Sequence, residues 1–178
     1  MTFDDFKALC SSRRSIRYFS DKPVAKEDVV KLLELAQLAP SVENLQPWHF
    51  HIITSKDLRH TLTNMSCYGN FVEGASVFII VTVNRTAENK ANEPVWNEKE
   101  LDFSCMAAMT NLMLGATAMN LGSCWVSLHH GPVHELLQLP RYEIVVGGLM
   151  LGHFKAGEEK PSNGHQRHDI KETYTMHE

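Results

Sequence analysis

Between Lys26 and Leu38 the apolar residues Val29, Leu32, Leu33 and Ala36 fall at i, i+3, i+4 and i+7, which makes one apolar helix face, and Pro40 stops the helix. Ahead of it, Thr2 to Cys10 reads as a short helix with Thr2 as its cap and Asp4 and Asp5 in the first turn, where the helix dipole favours acids. His49 to Thr54 (HFHIIT) is β-branched and aromatic enough for a strand, and Ser55 then caps a helix beginning KDLRHTL. Val77 to Val83 (VFIIVTV) is a continuous apolar run of strand length, the pattern of a strand buried on both faces. Residues 86 to 100 are polar apart from Val95 and Trp96 and read as a surface loop or lid.

Asp102 to Asn120 is apolar almost all round. Asp102, Ser104, Thr110, Asn111, Thr117 and Asn120 interrupt the run, so it reads as a central helix rather than a membrane span. Cys124 to Ser127 predicts a short strand, Pro132 to Leu137 a helix with Pro in its first turn, and Glu143 to Leu151 a long strand. From Lys155 onward only Ala156, Ile170, Tyr174 and Met176 are apolar, too few for a core element, so this tail either frays or wraps a partner subunit.

Composition narrows the class. The 178 residues suit one domain, and 17 Lys+Arg against 21 Asp+Glu give a net charge of −4, which argues against a dedicated nucleic-acid binder. With 43% hydrophobic and 21% charged residues the chain is neither disordered nor membranous. Cys10, Cys67, Cys105 and Cys124 form no CxxC pair and read as buried reduced thiols. The start lacks the apolar core of a signal peptide, so the cytoplasm is the expected address. Ten histidines invite a metal reading, but Gly131 and Pro132 are expected to break the helix that would align His130 with His134, and no HExxH occurs. No metal is expected. Gly147, Gly148 and Gly152 lie in a predicted strand and make no GxGxxG fingerprint.

Three constellations carry chemistry. Ser12 to Phe19 (SRRSIRYF) packs three guanidinium groups and two hydroxyls into six residues, which suits one phosphate group and equally a solvated basic stretch. Ala39 to Trp48 (APSVENLQPW) is a proline-bracketed loop dense in side-chain amides, able to read a heterocycle edge or a sugar hydroxyl, or to act as a capping turn. Leu121 to Ser127 (LGSCWVS) turns the central helix, stopped at Gly122, into a short strand.

In this order and spacing, RRSIRYF, PSVENLQPWHF and LGSCWVS after a long apolar helix, followed by GGLMLGHF and a basic position at Arg167, the sequence resembles the FMN-dependent nitroreductase family from about Ser12 to Ile170. The resemblance implies an α+β nitroreductase-like fold, a mixed and mostly antiparallel sheet wrapped by helices. It also implies an intertwined homodimer whose C-terminal arms, from about residue 155, extend over the partner, with FMN at the interface. Carried over, Arg13, Arg14 and Ser15 match the phosphate-and-ribityl contact and Arg17 the basic residue beneath the flavin pyrimidine ring. Ser41, Asn44 and Gln46 match the PSxxNxQ loop, which in the family borders the flavin, often from the opposite subunit. Cys124, Trp125, Val126 and Ser127 match the turn whose backbone N–H groups approach flavin N5 and O4. Asn70 falls near an amide against the pyrimidine, and Arg167 matches a late basic residue on the phosphate.

The 86 to 100 stretch is shorter than the substrate-covering insertion of larger members, so the substrate side does not transfer; Trp96 lines that pocket or anchors the loop. The implied activity is hydride transfer from NADH or NADPH to flavin N5 and then, in ping-pong fashion, reduction of a nitroaromatic, quinone or similar electron-poor acceptor. No side-chain acid or base is then obligatory, because the cofactor carries the chemistry. A flavin storage or sensing module, a dehalogenase and a flavin-fragmenting enzyme are the alternatives.

Overall fold

A computed structural model describes residues 1–67, 74–95, 97–155, 157 and 167–177. Helix α1 (Phe3–Ser12) starts where its caps dictate: the Asp5 N–H donates to Thr2 Oγ1 at 3.2 Å and the Thr2 N–H to Asp5 Oδ2 at 2.7 Å. It buries none of its own residues, and Phe3 and Phe6 stay exposed. Helix α2 (Lys26–Gln37) turns Val29, Leu32 and Ala36 inward, with Leu33 half-buried beside them.

Among the described residues four strands follow one another: β1 (Trp48–Ile53), β2 (Val77–Asn84), β3 (Gly122–Val126) and β4 (Glu143–Gly152). They lie in the order β1-β2-β4-β3, every ladder antiparallel, so β1 and β3 are the edges. Among the described residues the expected mixed character reduces to one isolated parallel bridge, Ser15 with Ser123, because the segment after α1 touches β3 at one residue and moves on. Helix α3 (Lys56–Thr63) is capped by Ser55, whose Oγ accepts from the Leu58 N–H at 3.4 Å.

Helix α4 (Lys99–Ala118) covers one face of the sheet with α2; α3 and helix α5 (His130–Leu136) cover the other. The VFIIVTV run shows why it has no polar side. Ile79, Val81 and Val83 pack against Leu101, Met109 and Leu112 of α4, while Phe78 and Ile80 join Leu62 and Val133 on the opposite face. Each such buried side chain contributes about 1.5 to 3 kcal/mol.

Three boundaries differ from expectation. Helix α4 begins at Lys99 rather than Asp102, because Leu101 is fully buried and Arg85 Nη2 lies 3.0 Å from both Asp102 oxygens, which fixes the first turn from outside. Residues Arg85–Lys90 form a 3-10 turn, with Asn84 Oδ1 accepting from the Thr86 N–H at 2.9 Å. Gly131 and Pro132 do not break α5; they sit in its first turn, where the N–H that proline lacks is not needed. No helix among the described residues is long and apolar enough to cross a membrane.

Candidate active site

After α1 the chain turns extended at Arg13 (φ −64°, ψ 130°) and is stitched to the sheet. The Ile16 N–H donates to Ser123 O at 2.9 Å, the Ser20 N–H to His153 O at 3.0 Å, and Phe19 bridges Phe154. The glycines at this end of the sheet make room for it. A Cβ at Gly122 would stand 2.9 Å from the Ile16 side chain, and one at Gly152 2.6 Å from Phe19.

Extended backbone sends alternate side chains to opposite sides. Arg13, Ser15 and Arg17 therefore share a side, and they share it with Cys124 of β3, which is 3% exposed. Burial pushes the Cys124 thiol up, while the Arg17 charge, a hydrogen bond with Ser15 and the Arg13 charge pull the other way without overcoming it. Arg14 stands instead toward Thr117 and Asn120 at the end of α4, while Ile16 packs into the core cluster that also holds Cys124. The Nη2 of Arg14 is closed off from water, and among the described residues nothing accepts from it. Leaving a buried donor unbonded costs about 1 to 3 kcal/mol, more when the group is charged.

Trp125 projects from β3 half-exposed, beside Gly147, while Val126 is buried and Ser127 exposed. The Ser127 carbonyl accepts from the Cys67 N–H at 3.0 Å, and the His129 N–H donates to Met65 O at 2.6 Å. The chain thus enters 68–73 from beside the end of β3. Asn70 itself, like Trp96, lies outside the described residues.

The amide-rich loop stands elsewhere. Glu43, Asn44 and Gln46 adopt left-handed φ of 47°, 54° and 47°, a sparsely populated conformation for side chains with a Cβ. Their bonds explain why it persists: the Gln46 N–H donates to Ser41 Oγ at 3.0 Å, and Gln46 Nε2 donates to Asn44 O at 3.2 Å and Asn44 Oδ1 at 3.3 Å. The Asn84 N–H holds Pro47 O at 2.7 Å, and the Val42 N–H donates to Ser104 Oγ of α4 at 3.2 Å.

Ser41, Asn44 and Gln46 are thus brought together, but at the Val83 end of the sheet on the β1 edge. Arg13, Ser15 and Arg17 stand at the Val77 end on the β3 edge. Strand geometry puts about 20 Å along the strands and about 14 Å across them between the two sets. Arg167 is exposed in the tail, beside a hollow lined with it by His168, Asp169 and Glu172.

One polar group was not singled out by sequence reasoning. The Thr82 hydroxyl donates to Glu143 Oε2 at 2.8 Å, His51 Nε2 lies 2.9 Å from the same oxygen, and the His49 ring centroid is 4.6 Å from that of His51. The signal was HFH, two histidines at strand period on one side of β1. Nearby, His134 Nε2 is 3.2 Å from Pro140 O. No group of three or more His, Cys, Asp or Glu that could hold a metal occurs among the described residues.

The nitroreductase family model matches residues 10–67 and 63–153, from the end of α1 through β4, and so takes in the basic segment, the amide loop and β3. The chain belongs to the nitroreductase family. This family member is 31% identical over 149 residues to a relative from Archaeoglobus fulgidus provisionally named NADH dehydrogenase/NAD(P)H nitroreductase, covering 81% of this chain and 82% of the relative. It is 23% identical over 182 residues to a Bacillus subtilis protein named FMN reductase [NAD(P)H], covering 92% and 72%. The fold of the nitroreductase chain matches a crystal structure of an FMN-dependent nitroreductase from Clostridium difficile R20291 with a TM-score of 0.78 at 22% identity, covering 94% of this chain and 96% of that one.

Proposed function

We propose that the chain is an NAD(P)H-dependent FMN oxidoreductase that acts as a cytoplasmic homodimer and reduces a nitroaromatic, quinone or similar electron-poor acceptor by a ping-pong scheme. The observation that carries this reading is the row Arg13, Ser15, Arg17, laid on one side of an extended segment against Cys124 of β3. Two cations and a hydroxyl so aligned suit one phosphate and one ring that gains negative charge. Bound FMN would carry hydride equivalents between donor and acceptor, and the protein would supply binding, orientation and electrostatics.

Of the three residues that the resemblance assigns to the phosphate and ribityl oxygens, Arg13 and Ser15 would hold them, whereas Arg14 stands in the pocket with Thr117 and Asn120. Arg17 would supply a fixed cation to the pyrimidine side, where it would offset charge gained on reduction. The backbone of Cys124 to Ser127 would border the ring, and Arg167 would close on the phosphate. Ser41, Asn44 and Gln46 stand too far from Arg13 in their own chain to share one flavin with it, so they border the flavin of the second chain, over which the arm from about residue 155 extends.

Anaerobic mixing of the yellow protein with NADH and with NADPH tests the proposal. Prompt bleaching by at least one nicotinamide is expected, followed by recolouring on addition of a quinone or nitroaromatic. A flavin inert to both nicotinamides overturns the enzyme reading in favour of a storage or sensing module.

A further inference from the structure

Beside residues 12–16, where the chain leaves α1 and passes the end of α4, lies a pocket of about 140 Å³, walled by Ser12, Arg14, Thr117 and Asn120 with Ile16 and Phe154. Among the described residues Arg14 brings the only charge to it, no carboxylate lines it, and its Nη2 has no acceptor. An arginine beside a helix C-terminus ordinarily serves the last carbonyls. Here α4 closes on itself instead: Asn120 takes a left-handed φ of 54°, and the N–H groups of Met119, Asn120 and Leu121 donate to Gly115 O, Thr117 O and Ala116 O at 2.9, 3.0 and 2.8 Å. The guanidinium is not needed there.

The hydroxyl protons of Ser12 and Thr117 are committed to Leu9 O at 2.8 Å and Met113 O at 2.9 Å. Among the described residues of this pocket the side-chain donors left without a hydrogen bond are Arg14 Nη2 and the Asn120 amide, a pair that calls for a ligand made of acceptor oxygens with negative charge. Pockets that take ring-sized ligands run from about 300 Å³ upward, so this one has room for a single small oxyanion with its waters and none for a flavin or a nicotinamide.

We propose that Arg14 and Asn120 form a second anion site, which binds one small oxyanion of the phosphate class at the end of α4, apart from the flavin phosphate. Two sources offer the same chemistry, free phosphate and the phosphate of FMN, and they are separable. The flavin-loaded full-length protein is titrated calorimetrically with inorganic phosphate at constant ionic strength, and FMN is titrated with and without saturating phosphate. Saturable phosphate binding is expected, with FMN affinity the same in both conditions. Arg14→Gln weakens phosphate binding about tenfold to a hundredfold, the loss of a charge-assisted contact.

Phosphate that raises the apparent Kd of FMN in proportion to its concentration occupies the flavin's own place and overturns the proposal. So do an absence of saturable binding and an Arg14→Gln variant that binds as tightly as the wild type. Should that variant not fold, Asn120→Gly, which suits the left-handed backbone and leaves the guanidinium in place, decides alone: weaker phosphate binding supports the site and unchanged binding overturns it. This inference rests on the cofactor reading only for the filled Arg13 place: protein that takes up no FMN overturns that reading, whereas flavin-loaded protein without saturable phosphate binding overturns this one, so the two failures remain distinguishable.

Discussion

Truncating Arg13 to alanine removes one charge-assisted contact worth about 1.5 to 3 kcal/mol, so FMN affinity falls about tenfold to a hundredfold and the variant elutes largely colourless. A fully yellow variant with unchanged affinity would contradict the phosphate role. Glu143 makes a prediction about stability. Burial works to raise its pKa, but hydrogen bonds from Thr82 and His51 and the charges of His49 and His51 outweigh it and hold the carboxyl below the usual range. A depressed folded pKa gives stability that is present above the unfolded value, about 4.3, and is lost as pH falls through the folded one. In urea unfolding, the wild type therefore exceeds Glu143→Gln by a constant margin near neutrality, and the margin shrinks on acidification below about 4.3; a margin unchanged into acid refutes it. The division of RRSIR was legible in principle, because period two alone separates Arg13, Ser15 and Arg17 from Arg14. That Arg14 meets the end of α4 was not, since Thr117 and Asn120 lie a hundred positions further along the chain.

At the level of elements, the basic segment docks on β3 because Gly122 has no side chain to hold it off. Gly122→Val drives methyl groups into Ile16, overpacking that costs about 1 to 3 kcal/mol, and shifts residues 15–17 away from the strand. Stability in urea and FMN affinity fall together. Lowered stability with intact FMN affinity would show that this docking does not set the site. Elements whose pattern matched their burial were readable: β2 is apolar from Val77 to Val81 because helices cover both of its faces, and α1 carries both halves of its capping box within four residues. The start of α4 was hidden, because Lys99 and Glu100 give no apolar signal and the turn is fixed by Arg85, which arrives from the end of β2. The left-handed turns at Glu43, Asn44 and Gln46 were hidden for a similar reason, none of them being glycine.

For the whole molecule, the separation of the two site halves across the sheet makes a stoichiometric prediction. A chain carrying Arg13→Ala and a chain carrying Asn44→Gly with Gln46→Gly, glycine keeping the left-handed backbone, are each defective alone. Co-expressed and isolated as mixed dimers through different tags, they regain NAD(P)H-driven reduction, because one interface then joins an intact basic segment to an intact loop. If mixed dimers never exceed the average of their parents, each chain builds its site unaided. The edges of the sheet also bear on handling. β3 is partly covered by Ser15, whereas among the described residues nothing pairs with the outer side of β1, six residues long. Such an edge is a template for pairing with unfolded or foreign strands. Heating concentrated protein is therefore expected to end in precipitate that cooling does not redissolve, and its durability is better measured as a half-life at a given temperature and concentration than as a reversible midpoint.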